Sequence, residues 1–222
     1  FKSDLLSNKS WGTQPLSLII NLLRGINILV PRNMTQAAGF YNTLMKSDEP
    51  AIVIEPLNGY RIKEKIPSNL GDFNFKIGYV EKLLEGSDIT IVSYGSTLRI
   101  VENASSELKE YDINVEIIDI QSLIPFDLDN EIKKSVEKTN RILIVDEDVP
   151  GGSSGYILQK LIDDQQIFNL LDSPPLTLTA KDHRPAYGSD GDYFSKPSSE
   201  DIFDKAYRIM HDSDPIKYPK LD

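Results

Sequence analysis

Carboxylates at the end of a buried strand are the first residues of this chain that could do chemistry. Asp146, Glu147 and Asp148 follow Arg141 and the apolar run 142–145 and precede Gly151-Gly152-Ser153-Ser154-Gly155. Carboxylates placed there can take Mg²⁺ or act as general bases. They also read as a solvated acidic turn, with one carboxylate capping the helix that begins near Gly152. A glycine–serine turn ahead of a helix can cradle phosphate, but no GxGxxG or P-loop pattern is present, and three carboxylates would repel an anion. Gly95-Ser96-Thr97 is the better anion-binding turn, although Ser96 is also an ordinary N-cap. His183, in Lys181-Asp182-His183-Arg184, suits acid–base work or caps a neighbouring carbonyl. His211 falls beyond a helix end and is expected in solvent. Glu55-Pro56 with Tyr60-Arg61 suggests either a structural ion pair or an active-site rim. No Ser-His-Asp order or nucleophile elbow occurs.

The elements that must position these residues follow from pattern. Residues 89–92 are a short β-branched strand that runs into Ser93-Tyr94-Gly95-Ser96. A helix follows, with apolar positions at Leu98, Val101, Ala104 and Leu108. A strand at 115–120, a helical stretch after Pro125 and a strand at 141–145 continue the alternation. Pro174-Pro175 precedes a fourth strand at 176–180. Strand, turn and helix, repeated, predict a mostly parallel sheet between helices, a three-layer αβα fold. In such sheets ligands gather at the carboxyl ends of the strands. Upstream, a short helix at 16–24 stopped by Gly25, strands at 26–30 and 51–54 and a helix at 35–45 read as part of a second α/β unit. Residues 57–80 read as a linker. The last helix is expected to start at Ser198 or Ser199 and to bury Ile202, Ala206, Ile209 and Met210.

The 222 residues allow one large domain or two modest ones. With 40% hydrophobic and 26% charged residues the composition is that of a soluble globular protein. A net charge of -10 argues against a nucleic-acid surface, which needs clustered Lys and Arg. There is no cysteine, which excludes disulfides, thiolate catalysis and Cys-type zinc sites. The longest apolar run, 16–23, is interrupted by Ser17 and Asn21 and is too short for a bilayer. No signal-peptide pattern opens the chain, so no membrane association and a cytoplasmic location are the expectation. The start at Phe1 suggests a piece of a longer polypeptide.

Three stretches are more specific. The first is residues 25–33, followed by Gln36-Ala37-Ala38-Gly39, Pro50, Glu55-Pro56 and Tyr60-Arg61. The second is residues 85–95, continued by 114–120 and Ser122-Leu123-Ile124-Pro125-Phe126-Asp127. The third is residues 135–141 with the Gly152 and Gly155 turn. Together they resemble the beta subunit of thiamine-diphosphate-dependent 2-oxoacid dehydrogenases, and the later half resembles the transketolase C-terminal domain. The tail, residues 183–194, resembles a bacterial branch in which alpha and beta parts are fused.

The resemblance implies residues 1–75 as the rear of a pyrimidine-binding domain and 80–222 as a whole transketolase C-terminal domain. It implies decarboxylation of a 2-oxoacid, pyruvate or a branched-chain one, on thiamine diphosphate, with the acyl group passed to a lipoyl arm. The cofactor supplies the nucleophile and electron sink, and the protein orients it. The activating glutamate and the diphosphate and Mg²⁺ site belong to parts upstream and to the alpha part. This chain alone is therefore expected to hold no cofactor and to be inactive. The family's His-Ser-Gln-Ser has here Gly12-Thr13-Gln14-Pro15, so Gly12 replaces the histidine and carries no proton. A K⁺ site is implied at Leu44, Ser47 and Glu49. Implied partners are the alpha part, a second copy in a homo-oligomer, and a lipoyl acyltransferase component; the acidity of the chain suggests that Asp146, Glu147 and Asp148 lie near such a protein contact rather than in catalysis. Two further readings are a dimerisation and docking module without cofactor, and a transketolase-type enzyme.

Overall fold

A computed structural model of the protein describes residues 19–20, 22–56, 62–65, 67–183 and 194–221. Its centre is a five-stranded sheet of order β3-β5-β4-β7-β8, formed by β3 (Glu81–Leu84), β4 (Ile89–Ser93), β5 (Val115–Asp119), β7 (Ile142–Val145) and β8 (Leu176–Leu178). β4, β5, β7 and β8 are parallel, and β3 joins the edge antiparallel. All of β4, β5 and β7 are buried, because helices cover both faces. That is why these strands read as continuous apolar runs rather than as alternating ones.

Alternate side chains build two cores. Ile89, Ile91, Leu143 and Val145 face α2 (Leu98–Lys109) and α5 (Ser199–Ser213). Val92, Ile142 and Ile144 face α3 (Glu131–Thr139) and α4 (Ser153–Gln159). The three-layer αβα expectation stands. On α2 the expected stripe is buried: Leu98, Val101, Ala104 and Leu108 are all at 1% exposure or less. Truncating one such leucine to alanine costs about 2–5 kcal/mol. α5 starts as expected at Ser198, whose hydroxyl accepts from Asp201 N while the Asp201 carboxylate accepts from Ser198 N. His211 departs from expectation. It lies inside α5, half-buried, with Nδ1 2.7 Å from the Tyr218 carbonyl, because the chain end folds back over the helix.

A smaller sheet, β2-β1-β6, joins β1 (Asn27–Leu29), β2 (Ala51–Val53) and β6 (Ser122–Ile124). β1 and β2 are parallel, with α1 (Met34–Leu44) as the crossover, and β6 pairs antiparallel with β1. β3 and β6 were not expected as strands. Each is short, and β6 sits just before Pro125, where pattern alone suggests a turn. β6 lies in the second block of the sequence yet completes a sheet begun in the first. The two blocks therefore share backbone hydrogen bonds.

The stretch expected as a linker is fastened down where it is described. Asn42 Nδ2 donates to the carbonyls of Leu70 and Phe73, at 2.8 and 2.9 Å, and the Thr43 hydroxyl donates to that of Phe75 at 2.7 Å. The Phe75 ring lies on Gly39, where any Cβ would collide with it. A polar strap held by α1 side chains shows no periodicity, so the sequence did not announce it. No helix among the described residues is long and apolar enough to cross a membrane.

Candidate functional site

The carboxyl ends of the parallel strands gather the polar side chains. At the end of β7, Asp146 Oδ1 accepts from the Tyr94 hydroxyl and from Asp148 N (2.9 Å), and Oδ2 accepts from Ser154 N (2.7 Å). This is the helix-capping reading of the acidic turn. Burial raises the Asp146 carboxyl, against those hydrogen bonds, and raises the Tyr94 hydroxyl well above its ordinary range, helped by the Asp146 charge. The pair therefore joins the end of β4 to the start of α4.

Of the three acids expected near a protein contact, two are buried within the chain. Asp146 is 0% and Asp148 1% exposed. Asp148 Oδ1 accepts from Val149 N at 2.8 Å. Glu147 alone reaches the edge of the molecule, bridged to Lys196 at 3.2 Å with Ser96 3.5 Å away. Among the described residues no group of three or more Asp, Glu or His is arranged to hold a metal ion.

The α1–β2 loop does bring Leu44, Ser47 and Glu49 together. Ser47 N donates to the Leu44 carbonyl (3.0 Å), Glu49 N to the Ser47 hydroxyl (3.1 Å), and Asn27 Nδ2 to Glu49 Oε2 (3.0 Å). These oxygens already serve the loop's own hydrogen bonds. Gly12, Thr13, Gln14, Tyr60 and Arg61 lie outside the described residues. Glu55 accepts from the Tyr41 hydroxyl at 2.5 Å. The His183 ring lies 5.6 Å from that of Phe194, over which the Lys181 ammonium sits at 3.8 Å. A cleft of about 360 Å³ opens between Leu23, Arg24 and Gly25 on one side and Tyr156, Lys160 and Asp164 on the other. Its charges are engaged, Lys160 with Asp164 at 2.7 Å and Arg24 with the Leu23 carbonyl at 2.9 Å.

Sequence reasoning missed the largest polar cluster. Arg32, just after β1, donates to Asp119 at the end of β5 (2.8 Å) and to Glu81 on β3 (2.7 Å). From α1, Gln36 donates to Asp119 at 3.2 Å and to Gln121, while its own Oε1 accepts from Arg32 N at 2.7 Å. Burial lifts the Asp119 carboxyl to about 6, over the opposing pull of Arg32 and Gln36. Arg32 and Asp119 are 87 positions apart, so no local pattern links them. The available hint was an acid closing a mostly apolar strand, at the carboxyl end where such sheets gather function.

The chain as a whole has known relatives. The model of the transketolase C-terminal domain matches residues 78–200. The chain belongs to the transketolase C-terminal domain family. Among curated proteins it is similar to the pyruvate dehydrogenase E1 component subunit beta of Chlorokybus atmophyticus, 33% identical over 76% of this chain and 49% of that one. It is also similar to the mitochondrial 2-oxoisovalerate dehydrogenase subunit beta 2 of Arabidopsis thaliana, 33% identical over 68% of this chain and 41% of that one. The kinship with 2-oxoacid dehydrogenase beta subunits thus stands. The chain spans about half the length of the curated relatives it matches. In fold it matches a solved structure described as a split gene transketolase, inactive beta4 tetramer, with TM-score 0.68 and 18% identity over 89% of this chain and 61% of that one.

Proposed function

We propose that this chain serves a thiamine-diphosphate-dependent 2-oxoacid dehydrogenase as the rear part of its beta portion. The longer protein would decarboxylate pyruvate or a branched-chain 2-oxoacid and pass the acyl group to a lipoyl arm. The observation that carries this is the similarity to both pyruvate and 2-oxoisovalerate dehydrogenase beta subunits, over two thirds or more of the chain. Residues 1–75 would form the rear of the pyrimidine-binding domain and 80–222 the C-terminal domain, with β6 tying one to the other.

The residues described here do not fit the cofactor. Asp146 and Asp148, the buried acids at the end of β7, are spent on backbone N–H groups and on Tyr94, and Asp119 at the end of β5 is held by Arg32 and Gln36. Holding diphosphate and Mg²⁺ falls to the alpha part, as a K⁺ at Leu44, Ser47 and Glu49 would fall to the α1–β2 loop. The test is an assay of the full-length protein on pyruvate and on 3-methyl-2-oxobutanoate with an artificial electron acceptor, beside calorimetry of thiamine diphosphate on this chain alone. Turnover of either acid only by the full-length protein, with no heat of binding from the chain, is the expected result. Micromolar binding by the chain alone, or no turnover of any 2-oxoacid, overturns the reading.

A second role rests on the outer edge of β2, where no strand pairs among the described residues. An open edge invites association. Assembly with a second copy or with the alpha part would cover it. Light scattering that shows a stable monomer at high concentration counts against this. Docking of a basic domain of an acyltransferase, if it uses this edge of the sheet, is left to Glu147.

A further inference from the structure

The cleft beside α4 is lined from both blocks of the chain. One wall is the helical turn ahead of β1. There Leu23 N donates to the Ile19 carbonyl at 3.0 Å, and Arg24 Nη1 donates to the Leu23 and Ile20 carbonyls at 2.9 and 3.4 Å. Ile124, the last residue of β6, also lines the cleft. The other wall is α4 and its continuation, with Tyr156, Lys160 and Asp164. That continuation is a wider, π-type turn over Lys160–Asp164, closed by Gln165 N on the Lys160 carbonyl at 3.0 Å. In a plain α-helix a position eight residues beyond Tyr156 drifts about 80° around the axis. The wider turn advances less per residue and brings Asp164 back toward the row of Tyr156 and Lys160. Such turns are rare and recur where a helix serves a site. The Tyr156 ring meets Phe126 edge to face, 6.3 Å between centroids. Burial raises the Tyr156 hydroxyl above its ordinary range, so this wall stays uncharged.

We propose that this cleft binds a small organic anion with a flat apolar body. Its volume of about 360 Å³ is in the range of small-molecule sites. It also lies where two blocks of the chain meet, a common place for such sites. Ile20, Leu23, Ile124 and the Tyr156 ring suit the apolar body. Charge selects the anion. Two cations, Arg24 and Lys160, line the cleft against one acid, Asp164, in a chain whose net charge is -10. Lys160 and Asp164 are paired at 2.7 Å, with side chains 37% and 59% exposed. A pair so open to water is worth little, so an anion that takes over Lys160 displaces Asp164 at small cost. The site stands apart from the carboxyl ends of the strands. α4 leaves that edge at Ser153, and Asp164 is about 16 Å further along the helix. A ligand here touches the first block through Leu23 and Arg24 and the second through α4. Its binding free energy therefore adds to the seating of one block on the other, which is a regulatory position rather than a catalytic one.

The probe is 8-anilinonaphthalene-1-sulfonate, with N-phenyl-1-naphthylamine, the same rings without the sulfonate, as its uncharged counterpart. Each is titrated by fluorescence into the full-length protein with excess thiamine diphosphate and Mg²⁺, which fill any cofactor site. The sulfonate should bind saturably. Lys160→Glu should weaken it by about tenfold or more and the uncharged probe by less than about twofold. Tyr156→Ala removes the flat wall and should weaken both by about fivefold. Three results overturn the proposal: no saturable binding of the sulfonate, sulfonate binding untouched by Lys160→Glu, or equal weakening of both probes by that substitution. If Tyr156→Ala does not fold, Lys160→Glu, at a half-exposed position, decides alone. The readout needs no turnover, so it stands whether or not the full-length protein acts on a 2-oxoacid.

Discussion

Strand β5 carries a carboxylate near each end, and the surroundings treat the two oppositely. Glu116, toward the amino end, meets two lysines. Lys138 contacts its Oε2 and Lys82 lies 3.5 Å from its Oε1, while Gly86 N donates at 3.2 Å. Burial resists the Glu116 charge, but Lys138 and the other partners outweigh burial and bring the carboxyl down to about 2. Asp119, at the carboxyl end, shares one arginine with Glu81, and there burial wins. Depth is part of the difference: neither side chain touches water, but Asp119 is far more deeply enclosed than Glu116. The rest lies in the ratio of cations to anions and the access of those cations to water. Lys138 and Lys82 are 41% and 33% exposed and Arg32 only 23%. The amino end of the sheet is a neutralised seam. The carboxyl end keeps charge that is incompletely paired, the condition found where sites bind or switch.

The sharpest way to break this contrast is to remove the shared cation. Arg32→Met leaves two carboxylates with none, one of them fully buried. It should cost about 3–5 kcal/mol at pH 7.5 by urea unfolding, and clearly less at pH 5, where Asp119 can take a proton. Equal losses at both pH values would place the stabilisation in packing instead.

The second effect is in the pH profile. A folded value raised from 3.8 to about 6 makes the Asp119 contribution largest below its unfolded value and lost as pH rises through 6. Wild-type stability should increase by about 1.4 kcal/mol from pH 7.5 to 5, and this part of the profile should be flat in Asp119→Asn. Glu116 runs the other way. Its folded value is lowered, so its contribution holds above about 4.5 and is lost as pH falls toward 2. Urea midpoints across pH 3–8 for both variants separate the two contributions.

The smallest expected effect is at the seam. Glu116→Gln leaves lysines that reach water, so the loss at pH 7.5 should be about 1 kcal/mol. A loss as large as that of Arg32→Met would erase the distinction between the ends.

Most of the large sheet was legible because its helices are amphipathic and its central strands apolar. The stripe Leu98, Val101, Ala104, Leu108 and the cap at Ser198 needed only local rules. β3 and β6 were not legible, since three- and four-residue edge strands are fixed by their partners rather than by their own pattern. The candidate site divides the same way. That one carboxylate of the acidic turn caps the next helix was readable beside the Gly152 turn, whereas its identity as Asp146 depends on a contact with Tyr94, 52 positions away. The Arg32–Asp119 contact needs the small sheet seated on the large one, which no local pattern encodes.

The most direct test of the contrast is to titrate both carboxyls in one sample, by site-resolved carbon NMR of the full-length protein with Arg32→Met beside it. Asp119 should titrate near 6 and Glu116 near 2, and removal of Arg32 should raise Asp119 further while Glu116 stays where it is. Two carboxyls that both titrate near 4, or an Asp119 unmoved by the loss of Arg32, would contradict the unequal pairing at the two ends of β5.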